Sequence, residues 1–263
     1  MSSLVTRPNR SAHDHRGQAL PPSGTTRFVT TSWDDGDKAD LRIAELLHSR
    51  GIGGTFYVPL NPFRDSKSSL DSQALRHLAE EGFEIGAHSV SHRNLSQLSG
   101  DELREEVVPC KHALEDTLGR EVRMFCYPGG RYNQEVMQTL KAAGYSGART
   151  VRMLATGMQS EPYEMRVSLQ AYPHPVMNYA KNVGRSRRLD CLANGWLHRS
   201  ALSNWPVLGK RLFDQVMLHG GTWHLYGHSW EIEQLGLWGE LEDVLDYVGH
   251  RKNVNYVCNG ALL

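Results

Sequence analysis

The sequence predicts an α/β fold in which about seven parallel strands alternate with helices and close, or nearly close, into a (β/α) barrel. Three observations carry this expectation. Short apolar runs recur along the chain, and segments with helical periodicity stand between them. Strands that alternate with helices imply a mainly parallel sheet, because a parallel crossover needs a helix-length connection. The chain is 263 residues long and 40% hydrophobic, which suits one large domain better than two small ones.

The elements follow in order. "RFVTTSW" from Arg27 reads as a strand, and "ADLRIAELLHSR" places Leu41, Ala44 and Leu47 on one helical face before Gly51 stops it. "GTFYVP", "FEIGAH", "VRMFCYP", "YSGARTV" and "GTWHLYG" repeat the strand signal. Helices are expected over "DSQALRHLAEEG", "SGDELREEV" and "QEVMQTLKAAG". Ser99 and Glu102 have capping-box spacing, and Pro109 is expected to kink or end the helix it falls in. Residues 152–220 show little periodicity, whereas "WGELEDVLDYVGH" reads as an amphipathic helix and "VNYVCNG" as a last strand.

Composition narrows the function. Lysine plus arginine equals aspartate plus glutamate at 29 each, so no net field draws nucleic acid or an anionic membrane. No run approaches the length of a membrane span. Residues 1–26 are rich in Ser, Pro, Arg, His and Gly without the apolar region of a signal peptide, and read as a flexible arm before a barrel domain over 27–263. A cytoplasmic protein acting on a biosynthetic intermediate is therefore expected. The cysteines Cys110, Cys126, Cys191 and Cys258 form no CxxC and are expected to be reduced. The oligomeric state is not legible.

Chemistry gathers at the C-terminal ends of barrel strands. Asp34 and Asp35 stand at one such end, before Gly36, and "AHSVSH" puts His88 and His92 at another. The HxxxH spacing converges on one point if the segment begins a helical turn. It recurs at His224 and His228, so spacing alone is weak. Two neutral imidazoles and one carboxylate suit a zinc-like ion with positions left open.

"TSWDDG", "HSVSH", "FCYPGGRYN" and "HLYGH" resemble, in order and spacing, the successive motifs of the polysaccharide deacetylases, the NodB-homology carbohydrate esterases. The resemblance covers residues 27–260 and implies a distorted (β/α) barrel that removes an N-acyl group, N-acetyl first, from an amino sugar or glycan. It implies one divalent ion on Asp35, His88 and His92, zinc first, with cobalt, nickel or manganese as alternatives. Asp34 would be the general base and the backbone amide near Gly129 an oxyanion donor, with Trp33, Tyr127, Arg149 and His174 on the substrate side. The loose match of the last motif favours His228 as general acid, nearer the strand end, and leaves His224 as the alternative.

The chain also departs from the pattern. Cys126 stands where the family often has an arginine that orients the base, and "GARTV" replaces the acidic-tryptophan motif, so Arg149 is a candidate for the missing cation. This marks a divergent branch. Tyr172, His174, Trp196 and Trp205 could form a sugar-stacking wall, and Arg185, Arg187 and Arg188 could meet a phosphate, though core and surface roles respectively are the simpler expectations. Rival functions are a hydrolase of small non-sugar amides such as cyclic imides, a non-haem iron oxygenase, whose usual β-sandwich disagrees with βα alternation, and an inactive carbohydrate-binding homologue.

Overall fold

The computed structural model describes residues 25–62, 66–179 and 204–263. Among them eight strands form one sheet in which every pairing is parallel. Strand β1 (Arg27–Asp34) is central, with β2 (Gly54–Val58), β3 (Glu84–Ala87), β4 (Met124–Cys126) and β5 (Gly147–Arg149) following on one side. On the other side lie β7 (Gly221–Gly227) and then β6 (Leu169–Gln170). Met165 exchanges backbone hydrogen bonds with Ala148 and Thr150 beside β5, while Ser168 to Ala171 bond to β7. That single segment draws the two ends of the sheet together into a nearly closed, distorted barrel. The last strand, β8 (Asn255–Tyr256), pairs with Phe28 and Val29, below the stretch of β1 that pairs with β2.

Helices α1 (Asp40–His48), α2 (Ser72–Glu80), α3 (Gly100–Leu118) and α4 (Gln134–Ala142) connect the first strands. They are followed by α5 (Trp205–His219), α6 (Ser229–Leu235) and α7 (Trp238–Val248). Their apolar stripes, such as Leu103, Val107, Cys110 and Leu114 on α3, recur every three or four residues and are buried in the core. No helix among the described residues is long and apolar enough to cross a membrane.

Two local expectations fail. Helix α3 does not end at Pro109 but continues through it to Leu118, with the proline on its exposed side. Ser99 is the N-cap residue but its side chain makes no cap bond; Glu135 accepts the Gly100 N–H instead, and Glu102 turns to Arg93 at 3.6 Å. Strand β6 and helix α5 lie in the stretch without readable pattern, and two residues of strand are too few to show a period. Trp205 is the first residue of α5 and is buried in the core. Trp196, Cys191, Arg185, Arg187, Arg188 and the arm over residues 1–24 lie outside the described residues. Cys110, Cys126 and Cys258 are free thiols.

Strand alternation decides which side chains reach the barrel interior. In β1, Val29 and Trp33 join the main core, while Ser32 reaches His224 and Asp34 reaches Arg149 across the barrel. Tyr57, Met124 and Cys126 form a small cluster of their own with Met165. Asn259 plugs the lower interior, donating to Thr30 and accepting from the Tyr57 phenol at 3.0 Å. Gly86 is required where β3 passes Tyr57, because a Cβ there would lie 2.5 Å from the ring. Gly86→Ala is expected to cost about 1–3 kcal/mol through overpacking, read as a lower urea midpoint with an unchanged slope.

Candidate metal and catalytic centre

Adjacent aspartates serve different neighbours because the backbone turns between them. Asp34 ends β1 in extended conformation and points inward, whereas Asp35 and Gly36 are both left-handed, with φ of 79° and 63°. A positive φ at an aspartate is uncommon, and such positions cluster at functional sites. Tyr57 O accepts the Asp35 N–H at 3.1 Å, which holds the turn at the strand end. A Cβ at position 36 would press on Val58 at 3.0 Å.

Asp35 Oδ1 lies 3.6 Å from His88 Nε2 and 3.5 Å from His92 Nε2, and the two rings meet edge to face at 4.8 Å. The segment between the histidines is not a helical turn. Ser89 and His92 are left-handed, Ser89 Oγ accepts the His92 N–H at 2.9 Å, and Glu106 on α3 accepts from both the backbone and the hydroxyl of Ser91. The two rings therefore converge through loop geometry rather than through helical spacing.

This trio passes three tests for a divalent cation. Its ligand atoms lie within 4.8 Å of one another. Asp35 Oδ1 is buried and accepts no hydrogen bond, while Trp230 Nε1 donates to the other oxygen at 2.9 Å. His88 Nδ1 lies 2.8 Å from the Cys126 carbonyl, so it carries the proton and Nε2 offers its lone pair to the site. Burial lowers the pKa of both imidazoles, to about 4 for His92, which leaves them neutral at pH 7. Among the described residues, Asp34, His88 and Cys126 form a second close group, but it shares His88, and Asp34 is already engaged by Arg149.

Arg149 comes from β5 and is fully buried, with Nη2 on Asp34 Oδ1 and its guanidinium 4.7 Å from the Tyr226 ring. Burial alone would raise the Asp34 pKa; Arg149, His88 and His228 outweigh it and hold the carboxyl at about 2. Cys126, from β4, lies 3.6 Å from the other Asp34 oxygen. The cation beside Asp34 thus arrives from the strand next to the one that carries the cysteine.

His228, just beyond β7, places Nε2 3.9 Å from Asp34 and 4.0 Å from Asp35. Its Nδ1 bonds Glu231 at 2.7 Å. Burial lowers the His228 pKa, but the Glu231 bond and the two aspartates overcome it and raise the value above the ordinary range. His224 is set apart: it lies deeper in the interior on Ser32 at 2.9 Å, fully buried, with its pKa pushed down to about 3 by burial. Gly129 is exposed and left-handed, with open space where a Cβ would stand, so a ligand can approach its backbone.

Three residues expected on the substrate side have partners within the protein. Trp33 and Tyr127 are out of phase with Asp34 and Cys126, and period two turns both into the main core, where the Tyr127 phenol donates to Tyr163 O at 2.9 Å. His174 packs 4.9 Å from the Tyr172 ring, but both of its ring nitrogens are engaged, by Gln170 at 2.7 Å and Asn178 at 3.2 Å. Sequence reasoning missed Trp230, Glu231, Glu106 and Gln170. Glu231 had a signal, the i, i+3 spacing from His228 across a helix start. Gln170 had none.

A parallel barrel that gathers two carboxylates and three imidazoles at its C-terminal strand ends belongs to the class of barrel proteins with an enzyme-like centre. The profile of polysaccharide deacetylases matches residues 22–148, just under half of the chain, and over that stretch the chain is similar to the polysaccharide deacetylase family. It is 27% identical over 126 residues to the peptidoglycan-N-acetylglucosamine deacetylase of Bacillus cereus, a match covering 45% of this chain and 54% of that protein. The chain spans about half the length of the curated relatives it matches first. Its fold is that of the chitin deacetylase of Colletotrichum lindemuthianum, with a TM-score of 0.57 at 15% identity over 91% of this chain and 89% of that one. A CE4 family pseudoenzyme from Bacillus anthracis shares the fold as well, with a TM-score of 0.53 at 16% identity over 90% of this chain and 65% of that one.

Proposed function

We propose that this chain is a metal-dependent deacetylase that hydrolyses the N-acyl amide, N-acetyl first, of an amino sugar within a glycan or glycan intermediate. The observation that carries the reading is the divided environment of the aspartate pair: Asp35 faces His88 and His92, while Asp34 faces Arg149 and His228. A divalent cation held by Asp35, His88 and His92, zinc first, would supply a polarised acyl carbonyl and a water acidified toward neutral pH.

The protein's own groups do the rest. Asp34, ionised and held by Arg149, accepts the proton of the attacking water. The amide at the Gly129 turn donates to the oxygen that gains charge. His228 carries its proton on Nε2 toward the same point and delivers it to the departing nitrogen. A cation fixed beside Asp34 has a cost if removed. Arg149→Met is expected to lower turnover by about tenfold or more, with little change in KM. It should also destabilise the fold by about 3–5 kcal/mol, because a buried carboxylate loses its partner. Wild-type kinetics in that variant would reduce Arg149 to a structural ion pair.

The direct test is an assay of the purified protein for released acetate or formate from N-acylated glucosamine oligomers and lipid- or nucleotide-linked amino sugars. Release from amino sugars that a chelator abolishes and added zinc or cobalt restores is the expected result. Hydrolysis of cyclic imides alone would reassign the chain to small-amide chemistry, and glycan binding without turnover would make it an inactive homologue.

A further inference from the structure

Behind His228 runs a chain of hydrogen bonds with one consistent direction. Glu231 Oε2 lies 2.7 Å from His228 Nδ1 and accepts from Gln170 Nε2 at 3.0 Å. A carboxylate has no hydrogen to give, so His228 Nδ1 must carry the proton, and Nε2 is the nitrogen presented to Asp34 and Asp35. The Gln170 amide also points one way. Its oxygen accepts from the Tyr226 phenol and faces His174 Nε2, both at 2.7 Å, which leaves its nitrogen for Glu231. His174 is then protonated on Nε2 and accepts on Nδ1 from Asn178 at 3.2 Å. Gln170 and Tyr226 are buried, where such bonds are stronger and a missing partner is costly.

The local fold explains why Glu231 reaches. His228 is the N-cap residue of α6, and Glu231 occupies the third helical position, from which a long acidic side chain folds back over the helix start. Gln170 reaches the same carboxylate from β6, paired in register with Tyr226 on β7. One carboxylate oxygen therefore collects a donor from each of two elements.

We propose that Glu231, clamped by Gln170, is the positioning residue that fixes the tautomer and aim of His228, and that Gln170 ties this geometry to the segment over residues 172–179. The proposal rests on the reading of His228 as proton donor, so its first test is independent of turnover. Long-range proton–nitrogen spectra of the neutral His228 ring are expected to show Nδ1 protonated in the wild type. Glu231→Leu should shift the ring toward the Nε2-protonated form that free imidazole side chains prefer. Glu231→Gln, of the same size, guards against misfolding: its amide oxygen can take the place of Oε2 and accept from both donors, but without the charge that holds the proton on Nδ1, so a mixed tautomer population is expected.

Kinetics supply the second arm. Glu231→Gln is expected to lower kcat by about 10–100-fold with KM and metal content nearly unchanged, and Gln170→Ala to lower it by about 3–10-fold. Glu231→Asp should recover more kcat than Glu231→Gln. An unchanged Nδ1-protonated ring in Glu231→Leu, or a loss confined to KM, would overturn the proposal. A wild-type protein inactive on every N-acylated sugar would instead defeat the deacetylase reading, while the spectra would still decide the role of Glu231.

Discussion

Asp34→Asn is expected to keep its metal and lose about a hundredfold to ten-thousandfold in turnover, the usual worth of a positioned general base. The substitution keeps the shape of the side chain but removes the charge that Arg149 and His228 face. Arg149 is fully buried, so the variant should also melt at a lower temperature, and the assay belongs well below that transition. Asp35→Asn acts on the other half of the division. Its carboxylate is the acceptor between His88 and His92, so metal affinity should fall first, and excess metal should recover part of the rate. Excess metal should not rescue Asp34→Asn. Identical metal content and identical rescue in the two variants would mean that the aspartates share one task.

Metal binding is the second large effect, and it can be read without any substrate. The purified chain should hold about one divalent ion, and His88→Ala or His92→Ala should abolish stoichiometric binding. Because the ligands converge only in the folded state, metal at a hundred times its Kd should stabilise the wild type by about 2.7 kcal/mol. That shift in melting should vanish in both histidine variants. Full occupancy in the His88→Ala, His92→Ala double variant would end the assignment of this trio. The neutral state of both imidazoles implies that protons compete weakly above pH 7, so binding should weaken as the pH falls below the ordinary histidine range.

Much of the barrel could be read along the chain because its signals are local. Strand segments such as "RFVTTSW" and "GTWHLYG" carry their own period, and Gly36 reports a turn that few other residues could make. The same period of two could have placed Trp33 and Tyr127 in the core, since each neighbours an inward residue and must point the other way. Motif order then sufficed to collect Asp34, Asp35, His88, His92 and His228. It also offered Arg149 as a candidate for the cation near Asp34, which the structure places there, but it could not supply the geometry between distant elements. Arg149 and Asp34 are 115 residues apart, and only the curl of the sheet sets the guanidinium on that carboxylate. The choice of His228 over His224 depended on depth in the barrel: both lie on one strand and its end, yet one faces the polar interior around Asn259 and the other the two aspartates. Gln170 sits in a two-residue strand with no pattern to betray it, and its contact with Glu231 spans 61 residues. Side-chain period is a property of each segment alone, whereas register, curvature and the left-handed turns at Asp35 and His92 are settled only when all strands pack at once, and those are what bring the charges together.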